Sequence, residues 1–429
     1  MKRGLVWFTE DLRLDDNETL LKAMQENDEI LPVYVFHAQE EKFLDIPRMG
    51  FHRKNYILES VGQLKENLQE IGGDLWVKSG DVTREIISLC REYSVQKVYT
   101  KKQVGIEEKK RQNELKQGLL AIGVDFETYS TSTLFHPDDL PFSVRDIPLL
   151  FTKFRKAAEK DSNVRQPFNA LTAIRVPDQK CQDIELPKVT NSSHWTGGER
   201  CALERLHHYI WETQSIVTYK ETRDQLSGMD FSSKFSAGLS QGCISPRRIY
   251  SEVKRFEREI LSNESTYWLI FELLWRDFFR FSMKKYPRSY FLREGLGMEA
   301  PSYNHDPRVF QNWTEGKTTE PLVNAGMIEL RETGFVSNRM RQILASYWIY
   351  GLKQDWRYGA AWFEHCLIDY DVSSNWGNWA YIAGVGNDKR GGREFNLPKQ
   401  TQLYDKEGKY QRRWIEFKNL ASNLQINPS

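Results

Sequence analysis

The sequence lacks the patterns that define several large protein classes. Its five cysteines lie far apart with no C-x-x-C pair, which argues against a disulfide framework, a zinc ribbon or an iron–sulfur cluster. No stretch approaches the roughly 20 apolar residues of a membrane span. The apolar start of the chain ends at Glu10 and Asp11, too early for a signal peptide. We therefore expect a cytoplasmic protein without a membrane partner.

An excess of charge of one sign is also missing. The chain has 60 Lys and Arg against 59 Asp and Glu, a formal net charge of +1, so nucleic-acid binding would require a local basic patch.

No G-x-G-x-x-G follows the first strand-like run, so the dinucleotide fingerprint is absent. No His or Glu completes a ligand set at metal-binding spacing, and we expect no metal site.

The pattern along the 429 residues predicts two domains. Residues 1–130 alternate strand-like and helix-like runs, which predicts an α/β domain with a doubly wound, parallel, five-stranded sheet. Residues 131–197 are rich in Pro, Asp and Ser and predict a connector draped over the surface, with one short helix in "LLFTKFRKAAEK". Residues 198–429 show helical periodicity almost throughout and predict a larger all-α domain.

Two stretches of the helical part carry candidate chemistry. "SSKFSAGLSQGCISPR" (232–247) places hydroxyls and one lysine before a helix-starting Ser-Pro, which suits either a pyrophosphate or an ordinary capped turn. In "TYWLIFELLWRDFFRF" (266–281), Glu272 and Arg276 are four residues apart among aromatic rings. They form either a buried salt bridge or a functional pair, because a lone buried carboxylate is costly.

Two later motifs also contain polar residues that suit either a structural role or ligand binding. "GFVSNRMRQ" places Asn338, Arg339 and Arg341 at a helix start, and "LIDYDVSSN" places Asp369 and Asp371 just after a helix. These carboxylates either cap a helix or accept hydrogen bonds from a ribityl or adenosine group.

Together these motifs resemble the photolyase/cryptochrome family. "LVWFTEDLRLDDN", "SSKFSAGLSQGCISPR", "ELLWRDFFRF", "SNRMRQ", "DYDVSSNWGNW" and "AGVGNDKR" follow in that family's order and cover residues 1 to about 418. "STLFHPDDLPF", "WRDFF" and "NWGNWAYIAGVGND" resemble its DASH-type cryptochromes. The resemblance implies that the helical domain binds one FAD.

The resemblance also implies individual roles around that FAD. Asn375 would face flavin N5, and an asparagine there favours a catalytic reduced flavin. Glu272 would hydrogen-bond a cyclobutane pyrimidine dimer beside Asn338, and Trp275 would stack on the flipped lesion. The implied FAD-binding residues are Tyr219, Ser232, Ser233, Lys234, Phe235, Ser236, Glu272, Arg276, Asn338, Arg341, Asp369, Asp371 and Asn375. The implied DNA or lesion contacts are Glu272, Trp275, Arg339, Tyr381 and Gln400.

Three tryptophans match the family's electron-transfer chain, which leads from the protein surface to the flavin. They are Trp379, the proximal donor, Trp356 and Trp313. Trp376, by contrast, is interpreted as a packing ring, and "AGVGN" as a turn that brings backbone to the DNA side of the pocket.

The chain departs from the family at several positions. Tyr381 replaces a second lesion-stacking tryptophan of duplex photolyases, a change shared with DASH proteins, which act best on single-stranded DNA. Thr9 stands where the family has arginine, a change expected to leave FAD binding intact. The segment "KKQVGIEEKK" leaves only Glu107 or Glu108 to hold a 5,10-methenyltetrahydrofolate antenna. Ser337 and Asn338 replace the paired histidines of (6-4) photolyases, which argues against that activity.

The resulting prediction is a monomeric, FAD-dependent enzyme that repairs cyclobutane pyrimidine dimers in single-stranded DNA under blue light. A blue-light receptor that signals through a partner is the main alternative. The short segment after "RRWIEFKNL" favours the enzyme, because receptor cryptochromes often carry long tails. A helical nucleic-acid-binding module without light chemistry is the third hypothesis.

Overall fold

The computed structural model describes residues 1–37, 41–178, 184, 186, 195–297, 299, 303–388 and 391–424. The N-terminal domain is built on a parallel five-stranded sheet with strand order β5-β2-β1-β6-β7, which confirms the predicted doubly wound sheet. β3 and β4 form a separate antiparallel pair. The strands are β1 (Arg3–Phe8), β2 (Glu29–His37), β3 (Lys42–Phe43), β4 (Ile46–Pro47), β5 (Trp76–Gly80), β6 (Lys97–Lys101) and β7 (Asp125–Tyr129).

Helices cover both faces of this sheet and then form the second domain. Leu5, Val6, Trp7 and Phe8 of β1 are all buried, as a central strand covered on both faces requires. The helices that follow the sheet's strands are α1 (Glu18–Glu26), α2 (Phe51–Glu70), α3 (Val82–Glu92) and α4 (Ile106–Leu120).

The second domain is helical, as predicted. Its helices are α6 (Glu199–His207), α7 (Tyr219–Thr222), α8 (Ser236–Ser240), α9 (Pro246–Glu259), α10 (Glu264–Lys285), α11 (Pro307–Thr314), α12 (Pro321–Thr333), α13 (Asn338–Ser346), α14 (Trp356–Cys366), α15 (Val372–Ala383), α16 (Leu397–Tyr404) and α17 (Lys409–Leu424). Short 3-10 turns occur at Pro137–Asp139, Val144–Asp146, Ser215–Thr218 and Ser289–Phe291, and π-helical turns at His208–Glu212 and Tyr347–Gly351. In the described part of the chain, no helix combines the length and apolarity needed to cross a membrane.

The connector packs more deeply than its sequence suggests. Its one described α-helix, α5 (Phe151–Asp161), lies where "LLFTKFRKAAEK" predicts it. Leu134, Phe135 and Phe154 are buried in the core of the helical domain, so the surface prediction is wrong for this part. The backbone N–H groups of Leu134 and Phe135 each donate to the Asp277 carboxylate at 2.9 Å. Prolines break the periodicity here, so the sequence did not reveal the buried side. Residues 179–183, 185 and 187–194 lie outside the described part.

The opening motif "DLRLDD" holds the two domains together. The buried Arg13 guanidinium donates to the carbonyl oxygens of Thr131 and Gly242, and thereby reaches the connector and the helical domain. The fully buried Asp16 carboxylate accepts two hydrogen bonds from Arg247, at 2.6 and 2.9 Å, and one from Ser245 at 2.6 Å. Ser245 also caps α9, with Pro246 at its first position, as the Ser-Pro pair predicts.

Asp16 and Asp15 allow a matched test of the ion pairs that join the N-terminal domain to α9. Asp16→Asn leaves the buried Arg247 charge without a carboxylate, and we expect the free energy of unfolding to fall by about 3–5 kcal/mol. Asp15→Asn breaks the neighbouring, more exposed pair with Arg248 and should cost about 1 kcal/mol or less. Chemical denaturation of both variants measures the difference. Equal losses in the free energy of unfolding would show that burial does not determine how much each ion pair stabilises the protein.

Candidate functional site

A cavity of about 610 Å³ lies within the helical domain, a size typical of sites for large ligands, roughly 300–1,000 Å³. It is lined by parts of α7, α8, α10, α13 and α15 and by the loop before α8. Most of the predicted site residues line it. They are Tyr219, Ser232, Ser233, Lys234, Phe235, Ser236, Glu272, Trp275, Arg276, Asn338, Arg339, Arg341, Asp369, Asp371, Asn375, Trp379 and Tyr381.

The loop before α8 presents a lysine to this cavity. Lys234 has a left-handed backbone (φ 59°), and its Nζ lies 3.6 Å from the centroid of the Phe231 ring and 4.6 Å from that of Phe335. Arg205 fixes the loop by donating to the carbonyl oxygens of Ser232 and Ser233. Burial lowers the pKa of Lys234 to about 7. Its ammonium group is therefore poorly stabilised by the protein alone, and a phosphate in the cavity would stabilise it.

Acidic and basic groups alternate on another wall of the cavity. Arg341 donates to Asp369 at 2.8 Å, and the second oxygen of Asp369 is buried without a partner among the described residues. Asp371 caps α15 by accepting from the Ser374 N–H at 2.8 Å. Burial alone would raise the pKa of Asp371, but Arg276 and Arg280, together with hydrogen bonds from Ser373 and Ser374, outweigh burial and hold this pKa well below its usual range. Asp371 is therefore a helix cap that also lines the cavity, and its contact with a ribityl or adenosine group stays a prediction.

Asn375 lies one turn into α15, where its side chain lines the cavity. Its amide nitrogen donates to the Ala360 carbonyl oxygen at 3.0 Å, which fixes the orientation of the side chain. Its carbonyl oxygen makes no hydrogen bond in the described part of the chain, and it therefore remains available to a ligand.

Glu272 pairs with a residue that the sequence did not indicate. Its carboxylate accepts from Arg223, while Arg276 donates instead to the carbonyl oxygens of Ser132 and Leu239. The buried salt bridge exists, but the i,i+4 pairing of Glu272 with Arg276 is wrong. Burial raises the pKa of Glu272, and Arg223 opposes that rise. Arg223 follows Tyr219 by four residues, a helical spacing that could have revealed it.

Aromatic rings form another part of the cavity wall. Trp275 stacks on Phe151 at 3.7 Å, which covers one of its faces, and meets Tyr381 edge-on at 5.8 Å. Arg393 lies over the Tyr381 ring at 4.6 Å and donates to its hydroxyl. Arg393 was missed because it lies in a loop without periodicity. Arg339 pairs with Asp224 and also lines the cavity.

The predicted electron-transfer chain is only partly supported. Trp379 lines the cavity, but Trp313, Trp356 and Trp379 are 0%, 2% and 2% exposed, so none is a surface terminus. The predicted surface end is therefore wrong. Trp313 packs against Trp348 at 4.7 Å and Trp379 at 6.4 Å, whereas Trp356 packs against Trp376 at 5.8 Å.

Other predicted positions lie away from the cavity. Trp376 is a fully buried packing ring, as predicted, and its N–H donates to Glu364. Gln400 is 8% exposed and does not line the cavity, which conflicts with a DNA contact. In "AGVGN", Gly384 ends α15 at φ 79° and Val385 accepts from the Leu296 N–H, so this turn packs inward and not towards a DNA surface. Thr9 lies in the N-terminal domain, where it accepts from Gln103.

Comparisons with known proteins agree with this geometry. Residues 4–173 match the DNA photolyase domain, and residues 268–429 match the FAD binding domain of DNA photolyase. Cryptochrome DASH of Synechocystis is 44% identical over 99% of this chain and 90% of its own length. Cryptochrome DASH of Xenopus laevis is 41% identical over 94% and 81%. The crystal structure of Synechocystis cryptochrome superposes with a TM-score of 0.93, at 44% identity, over 96% of this chain and 88% of its own.

The cavity fits the FAD that this domain binds. Lys234 and the serine hydroxyls offer donors for phosphates, the unpaired oxygen of Asp369 offers an acceptor, and the Asn375 amide offers a neutral contact. The chemistry that FAD supplies when bound is light absorption and electron transfer.

The pKa of Lys234 predicts how FAD retention depends on pH. A bound phosphate would raise this pKa, so binding is tightest where the free lysine is protonated and weakens as pH rises through about 7. Glu329, whose pKa burial raises to about 7, ionises in the same range and adds repulsion. We expect each of these two groups to raise the dissociation constant by up to about tenfold per pH unit above 7.

Free-flavin fluorescence after dilution measures this release. Lys234→Met should bind FAD more weakly at low pH and show a flatter pH dependence, and Glu329→Gln should remove the remaining slope. A slope that is unchanged in Lys234→Met would contradict the assignment of Lys234 to the phosphates.

Proposed function

Because this chain belongs to the photolyase/cryptochrome family, within its Cryptochrome DASH branch, we propose that it repairs cyclobutane pyrimidine dimers under blue light, preferentially in single-stranded DNA. The partner is then dimer-containing DNA. The proposal rests on one observation: the residues predicted to contact the flavin and those predicted to contact the lesion line the same cavity. The flavin-facing side chains, Asn375 and Asp369, and the lesion-facing side chains, Glu272 and Tyr381, open onto the same space.

Each lesion-facing residue has a task that its surroundings support. Glu272 is held by Arg223 and, on this proposal, binds the polar edge of the dimer bases. Trp275, fixed on one face by Phe151, offers its free surface to the lesion, and Asn338 supplies an amide beside it. The aromatic rings in the cavity wall, among them Trp275 and Tyr381, reduce the water between dimer and cofactor, which strengthens electrostatic contacts there.

The preference for single strands rests on Tyr381. A dimer must leave the base stack to enter the cavity, and a duplex adds the cost of unpairing. Tyr381 offers a smaller ring than tryptophan, and its hydroxyl is already bonded to Arg393. Tyr381 therefore supplies less stacking energy than a tryptophan would to compensate for the cost of moving the dimer into the cavity. This cost is lower in a single strand, because no base pairs have to be broken.

The decisive experiment illuminates the reduced, FAD-loaded protein with dimer-containing oligonucleotides, single-stranded and duplex, against dark controls. We expect faster repair of the single strand. Repair of neither substrate, with flavin photochemistry intact, would contradict the enzyme and favour the photoreceptor. Equal rates would contradict the role of Tyr381.

Glu272→Gln should retain FAD and repair about 10–100-fold more slowly, because a hydrogen bond to a charged group is lost. Glu264→Gln, exposed on the same helix, is the matched control and should repair normally.

We also propose that a methenyltetrahydrofolate antenna binds beside Glu108 rather than Glu107. Burial raises the pKa of Glu108. Nearby, Nε and Nη1 of Arg53 and the hydroxyl of Tyr370 are buried without partners in the described chain, and Arg53 lies 4.5 Å over the Tyr370 ring. These unsatisfied groups suit a heterocycle rich in hydrogen-bonding atoms.

Absorption spectra of the purified protein test this antenna. Reconstitution with the folate should add a near-ultraviolet band, which Glu108→Gln should lose and Glu107→Gln should keep. A band that survives in Glu108→Gln would place the folate elsewhere, and absence of any band would remove the antenna.

A further inference from the structure

We infer that a second, smaller cavity between the two domains binds a single halide-sized anion. The cavity measures about 20 Å³ and lies where the segments after β6 and β7 face α10. Ligands of open α/β sheets commonly bind at this carboxyl edge of the strands. Its lining includes three cations, Lys102, Arg280 and Lys284, and four consecutive hydroxyl side chains, 130–133, with no carboxylate. It shares no lining residue with the large cavity.

Two of the three cations, Lys102 and Lys284, have no carboxylate partner among the described residues. Lys102 is exposed to solvent and Lys284 is half-buried, and their ammonium groups make no ion pair or hydrogen bond with the described residues. Burial lowers the pKa of Lys284, and Lys102 lowers it further. Arg280 is 6% exposed and is partly satisfied: it donates to the Lys102 carbonyl oxygen and forms a long ion pair with Asp371 at 3.9 Å. The carboxylates of Glu10 and Asp277 also act on it. Asp138 also acts on Lys284, but its side chain is 80% exposed and therefore screened by water.

A buried hydroxyl in the same cavity also lacks a partner. Thr131 is 4% exposed, and its Oγ1 makes no hydrogen bond in the described part of the chain. The neighbouring Thr133 hydroxyl, in contrast, donates to the Phe135 carbonyl oxygen at 2.6 Å. Burying a hydroxyl without a hydrogen bond is costly. An anion that accepts from Thr131 would relieve this cost and the repulsion among the cations together.

The size of the cavity selects the anion. A site needs about 10–15 Å³ of this kind of space to hold one water molecule, so this cavity admits one small occupant and excludes a four-oxygen anion such as sulfate. Lys102 belongs to the N-terminal domain, Thr131 to the connector and Lys284 to α10. A bound halide therefore links all three segments and stabilises the native arrangement.

Thermal unfolding of the FAD-loaded full chain tests the inference. Sodium bromide replaces sodium gluconate at constant ionic strength, and the midpoint should rise saturably by about 2–4 °C. Chloride should act similarly, whereas sulfate should give only the non-saturating rise that it gives proteins in general by exclusion from their surface. A saturable rise with sulfate alone would overturn the halide assignment, and no saturable rise with any anion would overturn the site.

Variants separate this site from general salt effects. Thr131→Val keeps the side-chain shape and the backbone carbonyl that Arg13 uses, and Lys284→Met removes one cation. Both should lose the bromide response, while Lys116→Met, at an exposed lysine of α4, should keep it. Crystals grown with bromide should show anomalous density between Thr131 and Lys284. Absence of this density, or an undiminished response in both variants, would overturn the inference.

Discussion

The arrangement of this protein depends on a carboxylate that has no contact with water. Asp16 lies in the N-terminal domain, and its carboxylate accepts hydrogen bonds from Arg247 and Ser245 at the start of α9 and from the Phe168 N–H of the connector. A buried ion pair is retained only where its geometry leaves no group unsatisfied. Because that geometry exists in one docking of the domains, the pair fixes α9 relative to the sheet. Arg13 extends the same constraint to the connector by binding Thr131 and to the α8–α9 turn by binding Gly242.

Helix α10 transmits this constraint to the site, because successive turns face different neighbours. Glu272 meets Arg223 at the large cavity, Arg276 holds the connector through Ser132, and Arg280 reaches the carbonyl oxygen of Lys102 in the N-terminal domain. Asp277 is bonded to two connector N–H groups. One rigid helix therefore couples domain docking to the position of the Glu272 carboxylate in the cavity.

The cavity itself combines groups whose charges are only partly satisfied by the protein. The Lys234 ammonium group lies over aromatic rings, and one oxygen of Asp369 has no partner in the described chain. Arg276 and Arg280 oppose the rise in the pKa of Asp371 that burial causes. Such an arrangement costs stability when empty and favours a ligand that carries both phosphates and hydrogen-bond donors. FAD has this composition, which is the physical basis for its place in the fold.

The sequence by itself determined the two-domain architecture and most of the cavity lining. Strand and helix periods are local properties, and motifs such as "SSKFS" and "DYDVSSN" keep their functional residues close together along the chain. The tertiary structure alone decided which groups pair. Arg223 and Glu272 are 49 residues apart, Trp313 is buried beside Trp379, and the connector's apolar side chains enter the helical core. Local patterns report which residues are apolar or charged. Long-range packing selects their partners and exposure, because burial makes an unpaired charge or hydroxyl costly only once the chain has folded around it.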